Sequence, residues 1–278
     1  MNWVRKGRLG IHLMRGMLFC SLVFPWLGSE ARHHHIRRWS RMLLGLCGIT
    51  VEIPKDIHPS HGVLVVANHI SWLDIFVLNV WCPFRFVAKS EIRAWPLIGW
   101  LCVQTGTLFL ERGKKRDTHR ILHRIAECLG QGDTVCVFPE GTTSDGTAVL
   151  PFHANLLQAA VSAKAPVLPV ALRYLDTSTR SLTLAPAYIG DLSLMDSLNS
   201  VLDASPITVQ VLSGTEIAPG GWDRRELSGA CQMAVGQLLG EVAKSEVAKK
   251  SDVGGGFPAC QPSVSYGAGR EAAPMSNE

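Results

Sequence analysis

The chain has 278 residues, 47% of them hydrophobic and 18% charged, with a formal net charge of +4. That length suits one large domain better than two independent ones, and the composition is apolar for a soluble protein yet far from that of a polytopic membrane protein. Lys6, Arg5, Arg8, Arg15, Arg32, Arg37, Arg38 and Arg41 face only Glu30 within residues 1–42, so this segment carries +7 and the remainder −3. The residues between those cations are Leu, Met, Phe and Trp, which argues for an anionic membrane surface and against nucleic acid as the partner.

Residues 10–28 form an apolar stretch interrupted by Arg15, with no small-residue cleavage site after it. A bilayer span takes about 20 apolar residues, so an interfacial helix or a marginal span is expected here. Ile36, Trp39, Met42, Leu43 and Leu46 then recur at helical spacing with Arg37, Arg38 and Arg41 elsewhere on the circumference. These two stretches predict a membrane-docking helical pair over residues 1–48, the alternative being two ordinary helices packed on the domain. Seven of the eight tryptophans lie in the first 100 residues, in keeping with an interfacial role. The expected location is the cytoplasmic face of the cell membrane.

From residue 63 aliphatic runs alternate with helical patterns. Strands are predicted at 63–67, 84–88, 107–111, 134–138 and 167–172, and helices at 72–81, 90–103, 117–130 and 153–164. Runs 181–185 and 207–212 read as edge strands, and 222–244 as a C-terminal helix. This order predicts an α/β fold: one domain, residues 49–248, with a mixed, partly parallel sheet covered by helices. Residues 249–278 are rich in Gly, Ser, Pro and Ala and are expected to be disordered. The eight cysteines are scattered without a CxxC pair, which points to a reducing compartment. Cys128 and Cys136 read as core residues.

The strand at 63–67 runs into Asn68-His69-Ile70-Ser71-Trp72-Leu73-Asp74, whose Ser71 to Asp74 portion has the form of a capping box. On one continuous helix His69 and Asp74 would stand roughly 140° apart at about 100° per residue. With His69 in the preceding turn they can meet, and a carboxylate on one imidazole nitrogen leaves the other free as a general base. From this segment alone, a structural histidine and a functional one are equally compatible. A second segment, Phe138-Pro139-Glu140-Gly141-Thr142-Thr143-Ser144, follows another strand, so both fall on the carboxyl edge where α/β sheets bind ligands. A third, Gly106 to Arg112, ends a strand in the side chain best suited to bidentate phosphate binding, and Lys89 closes the strand at 84–88 on the same edge. His33, His34 and His35 are adjacent, a spacing that cannot converge on one ion from a helix, so no metal site is expected.

In this order the segments resemble the glycerolipid acyltransferase family: NHxxxxD at Asn68–Asp74, GxxFxxR at Gly106–Arg112, FPEGTxS at Phe138–Ser144, and a proline-bearing block, Ala165 to Val170. The resemblance implies catalysis by His69 as general base with Asp74 orienting it. It also implies a substrate site drawing on Asn68, Lys89, Gly106, Arg112, Glu140, Gly141 and Thr142. The implied reaction moves a fatty acyl group from acyl-CoA or acyl carrier protein, as donor substrate, to the hydroxyl of a lysolipid. That acceptor is 1-acyl-sn-glycerol-3-phosphate or, alternatively, lyso-ornithine lipid, and no cofactor is required. Rival readings are an acyl thioester hydrolase activating water through the same pair, or a non-catalytic lipid-binding protein. A serine hydrolase is disfavoured by the lack of a G-x-S-x-G elbow.

Overall fold

A computed structural model describes residues 2–54, 58–95, 98–111, 115–204 and 206–253, with side chains except at 2, 115 and 241–253. Helices α1 (Asn2–Leu22) and α2 (Ser29–Leu46) flank a 3₁₀ turn at Phe24–Trp26 and lead into β1 (Ile49–Glu52). There follow β2 (Leu64–Ala67), α3 (Asp74–Trp81), β3 (Arg85–Lys89), a 3₁₀ helix at Ser90–Ala94, α4 (Ile98–Gln104), β4 (Leu108–Leu110), α5 (Lys115–Gly130) and β5 (Val135–Val137). The chain then forms α6 (Gln158–Ala163), β6 (Val167–Asp176), α7 (Leu194–Asp203), β7 (Ile207–Ser213) and α8 (Arg224–Val253). One compact unit covers Met1–Glu241; of the second, Val242–Glu278, residues 242–253 are helical. The tail expected from residue 249 therefore starts within α8, and residues 254–278 lie outside the described residues.

The strands form one sheet in the order β1-β7-β6-β2-β5-β3-β4. Pairing is parallel except between β6 and β7. The α/β expectation, with a mixed and partly parallel sheet, holds. Side chains alternate strictly across β2: Val65 and Ala67 join one core with α2, α3 and α7, while Leu64 and Val66 join another with α5, α6 and α8. A strand buried on both faces reads as an unbroken aliphatic run for this reason. Cys136 and Cys128 sit in these cores, 0% and 2% exposed, as expected.

Several local expectations are corrected. The run at 207–212 is an internal strand, and the edge belongs to β1, whose four residues are too short to stand out. The run at 181–185 makes only an isolated bridge, Leu175 to Leu182. The helix expected over 90–103 is broken: Trp95 leaves the 3₁₀ helix at φ −71°, ψ 126°, the extended conformation favoured before a proline. Helix α6 starts later than expected, and the His153 N–H is given to Pro139 O at 2.9 Å. Helix α7 is an addition to the expected elements, although Ser193 caps it by accepting the Asp196 N–H at 3.2 Å and donating its hydroxyl to Asp196 Oδ2 at 2.6 Å.

The N-terminal helices are both longer than expected. They are joined by His12 and Trp39, whose rings stack at 4.8 Å while each reaches the other's carbonyl oxygen, at 3.1 and 3.4 Å. Leu43 and Leu44 of α2 pack into the core. The opposite side of α1 presents Val4, Ile11, Met14, Leu18 and Leu22, all 58–68% exposed and spaced as one helical stripe. No described helix is long and apolar enough to cross a membrane.

Candidate active site

Strand β2 delivers Asn68 and His69 to the carboxyl edge of the sheet, and β5 delivers Phe138 and Glu140 to the same edge beside it. Asn68 is fully buried. Its side chain donates to Leu172 O at 3.1 Å and accepts the Leu172 N–H at 2.8 Å, so it imitates one more residue of β-ladder between β2 and β6. That clamp fixes the point at which the chain leaves β2, and with it the position of His69.

The predicted meeting of His69 and Asp74 occurs across the turn. His69 Nδ1 lies 2.8 Å from Asp74 Oδ2, with the His69 side chain 20% and the Asp74 side chain 0% exposed. Asp74 Oδ2 also accepts the backbone N–H groups of Ile70 at 2.7 Å and Ser71 at 3.0 Å, and Oδ1 accepts the Tyr174 hydroxyl at 2.7 Å. These donors replace the water that burial removes from the carboxylate. Only half of the anticipated capping box forms: Asp74 reaches back to the Ser71 N–H, but Ser71 Oγ takes the Leu73 N–H at 3.3 Å instead of that of Asp74. The carboxylate is thereby shared between closing the turn and holding the imidazole. Because Nδ1 is occupied, Nε2 is the nitrogen through which His69 can take a proton. The ring lies flat on Phe138, centroids 4.0 Å apart at 14°, which fixes its second degree of freedom.

The segment at 138–144 interlocks with this turn. The Ser144 N–H donates to His69 O at 2.8 Å, and Ser144 Oγ to the same oxygen at 3.3 Å. Glu140, 3% exposed, accepts the His69 N–H on one oxygen at 3.4 Å and the Leu150 N–H on the other at 3.3 Å. Burial raises its pKa to about 7; the two N–H groups and Ser144 oppose the rise, and the Asp74 charge adds to it. Thr143 donates its hydroxyl to Tyr188 O, while Tyr188 gives its N–H to Ile70 O at 2.9 Å, so the strap around 188 ties both segments together.

The remaining candidates are distributed unevenly. Thr142 is exposed at the crest of the loop, and Lys89 is exposed at the carboxyl end of β3, on the His69 edge. Gly141 adopts φ +68°, and its N–H closes a turn on Phe138 O at 3.1 Å, so that amide is turned inward. Gly106 is not brought to this edge: it precedes β4, at the amino ends of the parallel strands. There a Cβ at 106 would come within 2.5 Å of Nη1 of Arg85, which pairs with Asp133 at 2.7 Å. Its role is a tight turn at φ +78°. Arg112 lies outside the described residues. Tyr174 and Phe138 join the site in addition to the expected residues. For Tyr174, the available signal was a phenol two positions beyond the aliphatic run of β6.

Fold and site together define an α/β protein with a histidine–carboxylate pair at the carboxyl edge of a sheet covered on both faces. Residues 48–173 match the family model described as Acyltransferase. A 1-acyl-sn-glycerol-3-phosphate acyltransferase of Neisseria meningitidis is 40% identical over 184 residues, covering 66% of this chain and 71% of the relative. A lyso-ornithine lipid O-acyltransferase of Pseudomonas aeruginosa is 37% identical over 207 residues, covering 74% and 79% respectively. The crystal structure of the 1-acyl-sn-glycerophosphate acyltransferase of Thermotoga maritima superposes with a TM-score of 0.57 at 21% identity, over 86% of this chain and 98% of that one, a likeness of fold. The chain belongs to the acyltransferase family, and it is an acyltransferase.

Proposed function

We propose that the acceptor is a lysolipid, 1-acyl-sn-glycerol-3-phosphate foremost, and that His69 is the general base with Asp74 orienting it. The observation that carries this reading is the 2.8 Å contact from His69 Nδ1 to a buried carboxylate, which leaves Nε2 outside that contact on a partly exposed side chain. Nε2 takes the proton of the acceptor hydroxyl as its oxygen attacks the carbonyl carbon of an acyl thioester, on CoA or acyl carrier protein. The tetrahedral oxyanion collapses, the C–S bond breaks, and the imidazolium returns its proton to the departing thiolate. No enzyme nucleophile is needed, because the acceptor supplies the hydroxyl and the thioester is already activated. The inward-turned Gly141 amide makes other donors the better candidates for the oxyanion.

The phosphate of the acceptor is assigned to Lys89, exposed at the end of β3 on this edge, and to Arg112, which follows β4 in sequence. Relatives named for lyso-ornithine lipid support a second acceptor, whose headgroup lacks phosphate and would not need them. Membrane association is assigned to the apolar stripe of α1 together with Trp3 and Trp26, 86% and 87% exposed, beside the basic residues of the same segment. Residues 1–48 are assigned as the docking segment and 49–248 as the catalytic domain.

The test incubates purified protein with acyl-CoA and a panel of lysolipids, with and without His69→Ala. Turnover on lysophosphatidate that His69→Ala abolishes is expected. Thioester loss independent of any lysolipid would instead identify a hydrolase, and near-normal turnover by His69→Ala would remove the general-base assignment.

A further inference from the structure

The contact between Tyr174 and Asp74 has no counterpart in the motif segments. Tyr174 stands on β6, 1% exposed, two residues past Leu172, the residue that Asn68 grips. Residues two apart on a strand share a face, so the Asn68 clamp sets the register that brings the phenol under the amino end of α3. There the hydroxyl donates to Asp74 Oδ1 at 2.7 Å, while His69 Nδ1, Ile70 N and Ser71 N all address Oδ2. The two oxygens thus have separate duties. One binds the imidazole and closes the turn, and the other is anchored to the sheet. A carboxylate attached through both oxygens to different elements cannot rotate about its own bond without breaking a buried hydrogen bond.

We infer that Tyr174 is a positioning residue for acyl transfer, holding the plane of the Asp74 carboxylate and moderating the negative charge that His69 experiences. The inference rests on the general-base reading of His69. The titratable groups around the pair are His69 itself, Glu140 beyond β5, and the Cys136 thiol of β5, which is fully buried; burial keeps the thiol and the phenol in their neutral forms. The neutral phenol is therefore a donor throughout the working pH range. Without it, Asp74 Oδ1 loses its donor and the carboxylate presents more of its charge to the imidazole held on Oδ2.

The test compares full-length wild type with Tyr174→Phe, which retains the ring and removes one oxygen, and measures kcat and KM for lysophosphatidate across pH. The acid-side limb of the kcat/KM profile is expected to move to higher pH by about one unit, with kcat lower by about tenfold and KM little changed. Replacement of Tyr174 by 3-fluorotyrosine, a stronger donor of nearly the same size, is expected to move that limb to lower pH, and it serves as the test should Tyr174→Phe fold poorly. If the limb stays fixed in these variants while thermal stability falls, Tyr174 is only a packing residue and the inference is overturned. His69→Ala separates the two levels: if it retains turnover, the general-base reading itself fails. If it abolishes turnover while the limb of Tyr174→Phe is unmoved, only the role of Tyr174 fails.

Discussion

The backbone N–H of His69 points at the carboxylate of Glu140 across 3.4 Å, so the segment after β5 holds the residue that begins the turn after β2. Glu140 is buried, and the cost of its charge appears as a pKa raised from 4.5 to about 7. The unfolded chain releases this proton near 4.5 and the folded chain keeps it to about 7, so the folded state binds more protons between those values. Stability must therefore fall as pH rises through that window and level off above it, by about 3 kcal/mol for this group. Denaturant midpoints measured from about pH 4.5 to 8 are expected to lose this slope in Glu140→Gln, and the difference between the two proteins isolates Glu140 from other titrating groups.

Asn68 gives a prediction of a different kind. Asn68→Ala removes both partners of the Leu172 backbone at a site with no access to water, stranding one N–H and one C=O. At about 1–3 kcal/mol for each of the two stranded groups, the variant should lose roughly 2–6 kcal/mol, read as a lowered urea midpoint. Loss of activity with unchanged stability would place Asn68 in contact with substrate instead.

Asp74→Asn keeps the volume but offers an amide N–H₂ where Asp74 now accepts donors on both oxygens. With the N–H₂ at the Oδ2 position, it meets the N–H groups of Ile70 and Ser71; turned the other way, it forces the Tyr174 hydroxyl to accept, and the imidazole is left on a neutral amide oxygen instead of a carboxylate. A kcat reduced by about 10²- to 10⁴-fold is expected, with KM for the thioester nearly constant. Steady-state kinetics on folded variant protein checks it.

The α1 stripe can be tested without touching the catalytic edge. Replacing Ile11, Met14 and Leu18 with serine leaves the His12–Trp39 contact in place, since these side chains are 58–60% exposed. Partition onto vesicles containing anionic lipid should drop by about tenfold or more, given roughly 25 cal/mol for each Å² of apolar surface withdrawn from water. Turnover on lysolipid dispersed in detergent should persist. Unchanged vesicle binding would move the docking surface elsewhere.

The readable parts of the sequence were those governed by local chemistry. Aliphatic runs such as 63–67 and 134–138 read as strands because burial on both faces suppresses alternation. The amphipathic stripe of α5 read as a helix, and the distance in sequence from His69 to Asp74 already required a turn between them. The order of the motif segments carried the family. The elements that escaped were either too short or too contextual: β1 has four residues, α7 announces itself mainly by its cap, and 181–185 has strand composition but makes only an isolated bridge to β6.

Tertiary structure alone decided which residues meet. Gly106 and His69 belong to neighbouring motif blocks in sequence order, yet β4 and β2 run parallel, so a residue before one strand and a residue after the other lie at opposite edges of the sheet. Tyr174 and Asp74, 100 residues apart, meet because the side chain of Asn68 extends the β2–β6 ladder by one rung and fixes the turn beyond it. The sequence by itself determined the imidazole, its carboxylate and the turn between them, since those depend on local spacing. The anchoring of that carboxylate, and the clamp of Glu140 on His69, depend on strand register, which local spacing does not encode.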